Sequence, residues 1–254
     1  KVESSVVQLY VAAIVSAILG LYCFTLPHVP PKKDTKATFR EIIGLDALQL
    51  FRERAFAIII IASILTCIPL SFYYSWTNPF LNEIGMKFAA SKMTMGQMSE
   101  IFFMLVMPFF FIRLGVKRMI MIGMAAWLLR YLLFAFGNNE SLVWMLYTGI
   151  ILHGICYDFF FVTGQIFVDK QAPNHLKASA QGMITFATYG LGMFIGTWFS
   201  GVIVGMFTST EGDATTHAWT EIWLIPMAIA VVVLILFAVL FKNSKKGTSQ
   251  EIVQ

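Results

Sequence analysis

Charged residues are scarce in this sequence of 254 residues, because Asp, Glu, Lys and Arg together make up only 13% of it. A soluble globular domain normally carries about a quarter charged residues. Apolar residues account for 58% of the chain, and its mean hydropathy is +0.75. This composition excludes an ordinary soluble domain and indicates a membrane-embedded protein.

Residues that bind metals or form disulfides are also few, with three cysteines and four histidines in the whole chain. Cys23, Cys67 and Cys156 lie in apolar runs and show neither pairing nor metal-ligand spacing. The histidines form no HExxH-like array, and no nucleophile–base pair can be recognised. We therefore expect no metal, no cofactor and no enzymatic activity.

Long apolar runs, by contrast, fill most of the chain. A membrane-spanning helix needs about twenty mostly apolar residues. Lipid offers no partners for backbone groups, and the runs lack the alternation of a barrel, so the fold class is predicted to be all-α, a polytopic membrane helix bundle. Seven transmembrane helices are predicted, at 6–26, 55–80, 95–114, 117–136, 142–167, 179–207 and 222–241.

Basic residues predict the orientation of these spans, since cytoplasmic loops carry an excess of Lys and Arg. Fourteen of the eighteen fall on one side, three on the other, and Arg130 lies inside a span. The bias places the C-terminus in the cytoplasm and the acidic loop 208–221 outside. The net charge of +4 therefore reports membrane orientation, and no nucleic-acid partner is expected.

The prolines and charges after the first span mark a boundary. Residues 27–54 contain Pro27, Pro30 and Pro31, then a basic stretch with the pattern of an amphipathic surface helix. A basic linker followed by six spans suits a transporter whose two six-helix halves are joined on the cytoplasmic side. The predicted organisation is a last helix of an N-terminal half, a linker, a six-helix C-terminal half and a cytoplasmic tail, at 1–26, 27–54, 55–241 and 242–254.

Two acids lie inside predicted spans, and each is a candidate functional residue. Asp158 lies within the apolar run 142–167, and Glu100 lies within 95–114. A charge at the centre of a membrane costs at least about 2.5–3.5 kcal/mol, so such residues are rare and usually functional. Either acid could instead merely pair with Arg130, whose long side chain could also extend towards the external surface.

Polar partners accompany both acids at helical spacing. Gly154, Asp158, Phe161 and Gln165 form one predicted helix stripe, which Tyr157 borders, and Gln97 precedes Glu100 by one turn. Carboxylates and amides suit an uncharged, polyhydroxylated ligand, and desolvation favours the protonated carboxyl that a proton carrier needs.

Neighbouring aromatic and glycine residues suggest further pocket and packing positions. His153 could relay protons or simply pack. Tyr73 and Tyr74 lie deep in the second span, and one of them should face the bundle interior. The pairs Gly192/Gly196 and Gly201/Gly205 have the spacing that lets helices approach closely.

Eight stretches, distributed in order along residues 20–240, are together more specific than any single motif. They are FTLPHVP (24–30), GLDALQLFRERAFAI (44–58), NPFL (78–81), SEIFF (99–103), PFFFIRLGVKRMIMI (108–122), AWLLRYLLFAFG (126–137), YDFFFVTGQIFVDK (157–170) and ASAQGM (178–183). Through these stretches the chain resembles the nucleoside:proton symporter family of the major facilitator superfamily.

The resemblance implies that the spans are helices six to twelve of a twelve-helix transporter, so that the N-terminal half of the same chain is a missing partner. It implies a substrate site with an acidic, an amide and an aromatic component, made of Ser71, Tyr74, Gln97, Glu100, His153, Tyr157 and Asp158. Ser71 and Tyr74 stand where relatives can carry amides, and His153 where they can carry a tyrosine. The basic turn with Arg113, Lys117 and Arg118 resembles the turn that holds the cytoplasmic side of such transporters closed.

The predicted function is proton-coupled import of nucleosides across the bacterial cytoplasmic membrane by alternating access. Glu100 and Asp158 are the predicted proton-coupling residues, and Arg130 is assigned a structural role. A proton symporter for sugars or another small polar metabolite is an alternative on the same scaffold. A seven-helix receptor that does not transport is an alternative of another class.

Overall fold

A computed structural model describes residues 6–28, 45–212 and 214–242. Five of its helices are long and apolar enough to cross a membrane, and a sixth, α1, is apolar but has only 17 residues. One of the five is 48 residues long and contains two of the predicted spans. The helices are α1 (Val7–Cys23), α2 (Arg54–Glu83), α3 (Ala89–Phe136), α4 (Val143–Gln171), α5 (Lys177–Met206) and α6 (Trp219–Leu240). The prediction of an all-α membrane bundle is confirmed.

The chain divides into two compact units, Lys1–Phe39 and Arg40–Gln254. The first contains α1, whose residues are exposed along its whole length. Most of the predicted linker, residues 29–44, lies outside the described residues, as does the tail from residue 243. The described end of the linker, Leu45–Arg52, is a 3₁₀ helix, and the rest of the predicted amphipathic helix lies outside the described residues.

The long helix α3 is broken at Gly115, which has φ 67° and ψ 172°. Glycine tolerates this conformation because it has no Cβ. Residues 89–114 run parallel to α4, since Gly96 lies beside His153 and Phe110 beside Phe159. Residues 116–136 run antiparallel to it. The chain therefore reverses at Gly115, and α3 provides the two spans predicted from the sequence.

Short π-helical segments interrupt both α4, at Asp158–Val162, and α5, at Phe186–Gly192. Such segments are rare and occur frequently at functional sites. The stripe predicted from Gly154 to Gln165 assumed 3.6 residues per turn throughout. That periodicity does not hold across Asp158–Val162, so the prediction of a single continuous stripe is wrong.

Helices α2 and α5 are in close contact through the first of the two glycine pairs. A Cβ on Gly192 would lie 2.7 Å from the Cβ of Cys67, and a Cβ on Gly196 would lie 2.8 Å from the carbonyl oxygen of Cys67. Gly201 and Gly205 have no atom of the described chain within 4 Å of such a position. The prediction of close approach is thus confirmed for the first pair, and among the described residues the second pair has no such neighbour.

Helix α6 packs along the second half of α3. The Tyr131 and Trp223 rings stack at 5.8 Å, and Lys117 Nζ donates to the carbonyl oxygen of Ala238 at 2.8 Å. A hairpin that the sequence did not predict joins α5 to α6, with β1 (Thr208–Glu211) antiparallel to β2 (Ala214–His217).

Candidate functional site

The centre of the candidate site is a pair of side chains from α3 and α4. Glu100 Oε2 lies 3.7 Å from His153 Nε2. The histidine is buried, whereas a quarter of the glutamate side chain is exposed. Glu100 is therefore the accessible member of the pair, and His153 lies behind it.

A tight contact between α3 and α4 holds this pair together. The backbone N–H of Gly154 donates to Ser99 Oγ at 3.0 Å, and the same hydroxyl donates to the carbonyl oxygen of Gly96 at 2.7 Å. A Cβ on Gly154 would lie 2.5 Å from the carbonyl oxygen of Ser99. Only glycine fits at 154, and its neighbour His153 is thereby placed beside Glu100.

Two tyrosines of α2 also lie beside His153. The Tyr73 ring stacks on the imidazole at 5.1 Å with an interplanar angle of 19°, and the Tyr74 ring meets it edge-on at 6.2 Å. Tyr73 is buried, whereas Tyr74 is 43% exposed. Tyr73 is thus the tyrosine that faces the bundle interior, and Tyr74 offers a partly open aromatic surface.

Tyr157 lies on α4 one turn after His153, with the two ring centroids 6.0 Å apart. It is partly exposed, and its hydroxyl lies 2.5 Å from the hydroxyl of Tyr189 on α5. The partly exposed side chains of Glu100, Tyr74 and Tyr157 thus lie around His153, and this group is called the recess below. Tyr189 on α5 joins it through its contact with Tyr157.

Asp158 is adjacent to Tyr157 but differs from it in environment. Its side chain is fully buried, and neither carboxyl oxygen has a hydrogen-bond partner among the described residues. Burying a charge without partners is costly, so this geometry favours a carboxyl that can take up a proton.

Arg130 forms no ion pair with either acid in the described structure. It is fully buried, with Nε donating to the carbonyl oxygen of Gly149 at 3.0 Å and the guanidinium over the Tyr73 ring at 4.2 Å and the Trp127 ring at 4.9 Å. Neither of its terminal nitrogens has a hydrogen-bond partner among the described residues. Extension towards the external surface, which the sequence suggested as one alternative, is wrong.

The other two predicted pocket residues lie in different environments. Gln97 is exposed, one turn before Glu100 on α3. Ser71 is buried between α2 and α5, where its hydroxyl donates to the Cys67 carbonyl oxygen at 2.9 Å and contacts Met193 Sδ at 3.5 Å. The structure therefore places Gln97 on an exposed part of α3, one turn before Glu100, and Ser71 in the interface between α2 and α5.

The three predicted gating residues lie around the break in α3. Arg113 is exposed over the Phe109 ring at 4.0 Å, and Arg118 is exposed. Lys117 is bound to the last turn of α6 through the Ala238 carbonyl oxygen, as a cation at a helix C-terminus favours. This turn is thus attached to α6 by one of its three cations.

Comparison with known proteins agrees with this architecture. Residues 1–246 match the family model described as "Nucleoside H+ symporter". The chain belongs to the nucleoside H+ symporter family. It is 39% identical over 242 residues to the putative nucleoside transporter YegT of Escherichia coli (strain K12), covering 94% of this chain and 57% of that protein. It is 36% identical over 252 residues to the nucleoside permease NupG of the same organism, covering 94% and 59%.

Solved structures of this symporter family show the same helix arrangement. A crystal structure of the nucleoside transporter NupG, in a form with an aspartate-to-alanine substitution, superposes with a TM-score of 0.82 at 35% identity. The match covers 94% of this chain and 61% of that one. The chain therefore spans somewhat less than two thirds of the length of these relatives.

Two residues of the candidate site were not singled out as site residues from the sequence. Tyr73 was one of two candidates for the interior, and its stacking on both His153 and Arg130 depends on contacts between three helices. Tyr189 was not selected at all. The only signal was a tyrosine within the small-residue run ATYGLG, and the π-segment that orients it leaves no pattern in the sequence.

Proposed function

We propose that this chain provides the C-terminal half of a proton-coupled nucleoside importer of the bacterial cytoplasmic membrane. The observation that carries the proposal is the recess around Glu100 and His153, which lies within membrane-spanning helices and is bordered by partly exposed tyrosines. Membership of the nucleoside H+ symporter family supports the substrate class.

Substrate recognition uses both kinds of group in this recess. Gln97 and Glu100 offer an amide and a carboxyl group to ribose hydroxyls or to the polar edge of a base. The Tyr74 and Tyr157 rings offer apolar faces to a planar nucleobase. A nucleoside has one polyhydroxylated part and one planar part, so it matches the recess better than a sugar, which lacks the planar part.

Proton coupling uses the two acids. Glu100 is accessible from the recess, and Asp158 is buried without partners. Protonation of either removes a negative charge from the membrane interior and favours reorientation of the loaded carrier. The membrane potential contributes about 2.3 kcal/mol per charge for each 100 mV towards accumulation.

Uptake into cells that express the full-length gene tests the function. Labelled uridine and adenosine are offered with and without a protonophore, with excess nucleoside, free base or sugar as competitor. We expect accumulation that the protonophore abolishes and that nucleosides suppress. Competition by sugars and not by nucleosides would support the symporter for another polar metabolite and overturn the proposal.

The coupling residues are tested by Asp158→Asn and Glu100→Gln, which keep the side-chain shape and remove the titratable proton. We expect at least one variant to lose uphill accumulation while still exchanging nucleoside down its gradient. Glu140→Gln, at an exposed acid in the loop after α3, is the matched control and should keep full uptake. Uphill accumulation that is intact in both test variants would remove the acids from the coupling mechanism.

The orientation proposed for the chain places its C-terminus in the cytoplasm. Two lysines from different helices lie at one end of the six-helix unit. Lys117, just after the break in α3, binds the end of α6, and Lys170, in the last turn of α4, lies over the Phe111 ring at 5.3 Å. The positive-inside rule makes this end cytoplasmic.

A further inference from the structure

Tyr189 is an exposed polar aromatic residue that has no assigned role. It lies in the π-helical segment Phe186–Gly192 of α5 and is 49% exposed, although its neighbours Ala187 and Thr188 are buried. Its hydroxyl lies 2.5 Å from that of Tyr157. Because Tyr157 borders the recess around Glu100, this contact brings α5 to the recess as a fourth helix.

The hydroxyl pair has more hydrogen-bonding capacity than the contact uses. Each phenol has one proton to donate and lone pairs to accept. The single bond between Tyr157 and Tyr189 uses one of the two protons. Whichever phenol accepts keeps its own O–H, and this proton is strengthened as a donor because hydrogen bonds in a chain polarise one another.

The chemistry of this pair selects a particular kind of ligand group. The pair is uncharged, partly exposed, and offers one directed donor together with free acceptor positions. A hydroxyl group, which both donates and accepts, can use both. A carbonyl oxygen of a base can use only the donor, and an ammonium group only the acceptor.

We propose that Tyr189 is a substrate-contacting residue, and that the Tyr157–Tyr189 pair binds one ribose hydroxyl of the transported nucleoside. This inference rests on the proposed function and adds to it a residue, a helix and a specific part of the substrate. The contact also links substrate binding to α5. A nucleoside that lacks this hydroxyl loses the hydrogen bond to the pair and is bound less tightly.

The test compares uridine with its 2′-, 3′- and 5′-deoxy analogues as inhibitors of labelled adenosine uptake in the full-length transporter. Tyr189→Phe removes only the hydroxyl and keeps the ring. Loss of one net hydrogen bond should weaken the binding of uridine about three- to tenfold. It should leave unchanged the affinity of the one analogue that lacks the contacted hydroxyl.

A second variant and a control separate this role from a structural one. Tyr157→Phe should weaken the binding of the same compounds, and the double variant should bind them no more weakly than either single variant does. Tyr147→Phe, whose ring keeps its contact with Lys92, should change nothing.

Each other outcome has a definite reading. If Tyr189→Phe weakens the binding of uridine and of all three analogues equally, the pair is a structural contact between α4 and α5. If the affinities for all four compounds are unchanged, Tyr189 does not contact the substrate. Either result overturns this inference and leaves the proposed function standing. A full-length transporter without any nucleoside uptake overturns the proposed function, and this inference falls with it.

Discussion

At the scale of single residues, the buried charges of this chain are held in different ways. Arg130 has one hydrogen bond, two aromatic neighbours and two terminal nitrogens without partners among the described residues. Asp158 has no hydrogen bond from the described residues to its carboxyl group. An arginine can be held by its flat face against rings, whereas a carboxylate depends on donors. These environments agree with the structural role proposed for the arginine and the proton-coupling role proposed for the aspartate.

The stacking of Arg130 gives a testable stability difference. Arg130→Lys keeps the charge but removes the planar group that lies over Tyr73 and Trp127, together with the Nε–H bond to Gly149. We expect a loss of about 1–3 kcal/mol in the free energy of unfolding, since buried cation–π contacts and hydrogen bonds each contribute at this scale. Unfolding of the purified protein in detergent measures it.

Arg113→Lys is the matched control, because Arg113 also lies over a ring but is exposed. Its midpoint of unfolding should stay at the parent value. Equal midpoints for both variants would show that the planar stacking of Arg130 contributes nothing to stability.

The sequence predicts the candidate residues better than it predicts their environments. Glu100, Asp158 and Arg130 stand out because a charge within an apolar run is rare and costly, and the structure places all three within membrane-spanning helices. Which of them is accessible could not be predicted. The exposure of Asp158 depends on the local twist of α4. A π-helical segment begins at Asp158, so the residues before and after this segment do not share one face as they would in an ideal helix.

At the scale of helices, the interface between α2 and α5 shows how glycine sets the distance between two spans. Cys67 and Ser71 on α2 lie one turn apart, and Gly192 and Gly196 on α5 leave room for them. Trp76 extends the contact by donating from Nε1 to Ser200 Oγ at 3.3 Å. Packing of this kind is a main source of stability between helices in lipid, where the hydrophobic effect between helices is weak.

Gly196→Ala should disrupt this interface. The added Cβ would lie 2.8 Å from the carbonyl oxygen of Cys67 and 3.0 Å from the Cα of Ile68, and backbone atoms cannot move aside cheaply. We expect destabilisation of about 1–3 kcal/mol. Gly201→Ala, on the same helix with open space around it, should be neutral or stabilising by up to about 1 kcal/mol, since alanine favours helix. Thermal unfolding of both variants measures the two stabilities. A lower stability for Gly201→Ala than for Gly196→Ala would contradict the packing described.

Helix existence was predictable from apolar length, and all the predicted spans of the six-helix unit are present within α2 to α6. Helix detail was not. The two glycine pairs of α5 have identical spacing, yet within the part of the chain that the structure describes only the first pair lies against another helix. Spacing shows that a close approach is possible, and the fold decides on which face a neighbour lies.

At the scale of the whole molecule, the six-helix unit has two chemically different ends. One carries the basic turns near Lys117 and Lys170, and the other carries the hairpin Thr208–His217. The acidic loop 208–221 was predicted from charge to be external, and that it contains a hairpin was not predicted. Its threonines favour strand, but so short a pairing has no strong pattern in the sequence.

Accessibility of single cysteines to a membrane-impermeant maleimide tests the orientation. In a background without Cys23, Cys67 and Cys156, Thr210→Cys in the hairpin should be labelled in intact cells. His175→Cys, in the loop between α4 and α5, should be labelled only after the membrane is permeabilised. Both sites are exposed in the structure, so burial does not confuse the comparison. The reverse pattern would invert the proposed topology.

The hairpin has a mechanical consequence through its last residue. His217 donates its backbone N–H to Glu83 Oε1 at 2.9 Å, and its Nδ1 lies 2.6 Å from Glu83 Oε2. The connection from α5 to α6 is thereby fastened to the end of α2. This contact connects α2, α5 and α6 at this end, so a force applied to any one of these helices is transmitted to the other two. In the importer proposed above, this half moves as a unit around its substrate, and the two hydrogen bonds between His217 and Glu83 keep these helix ends together during that movement.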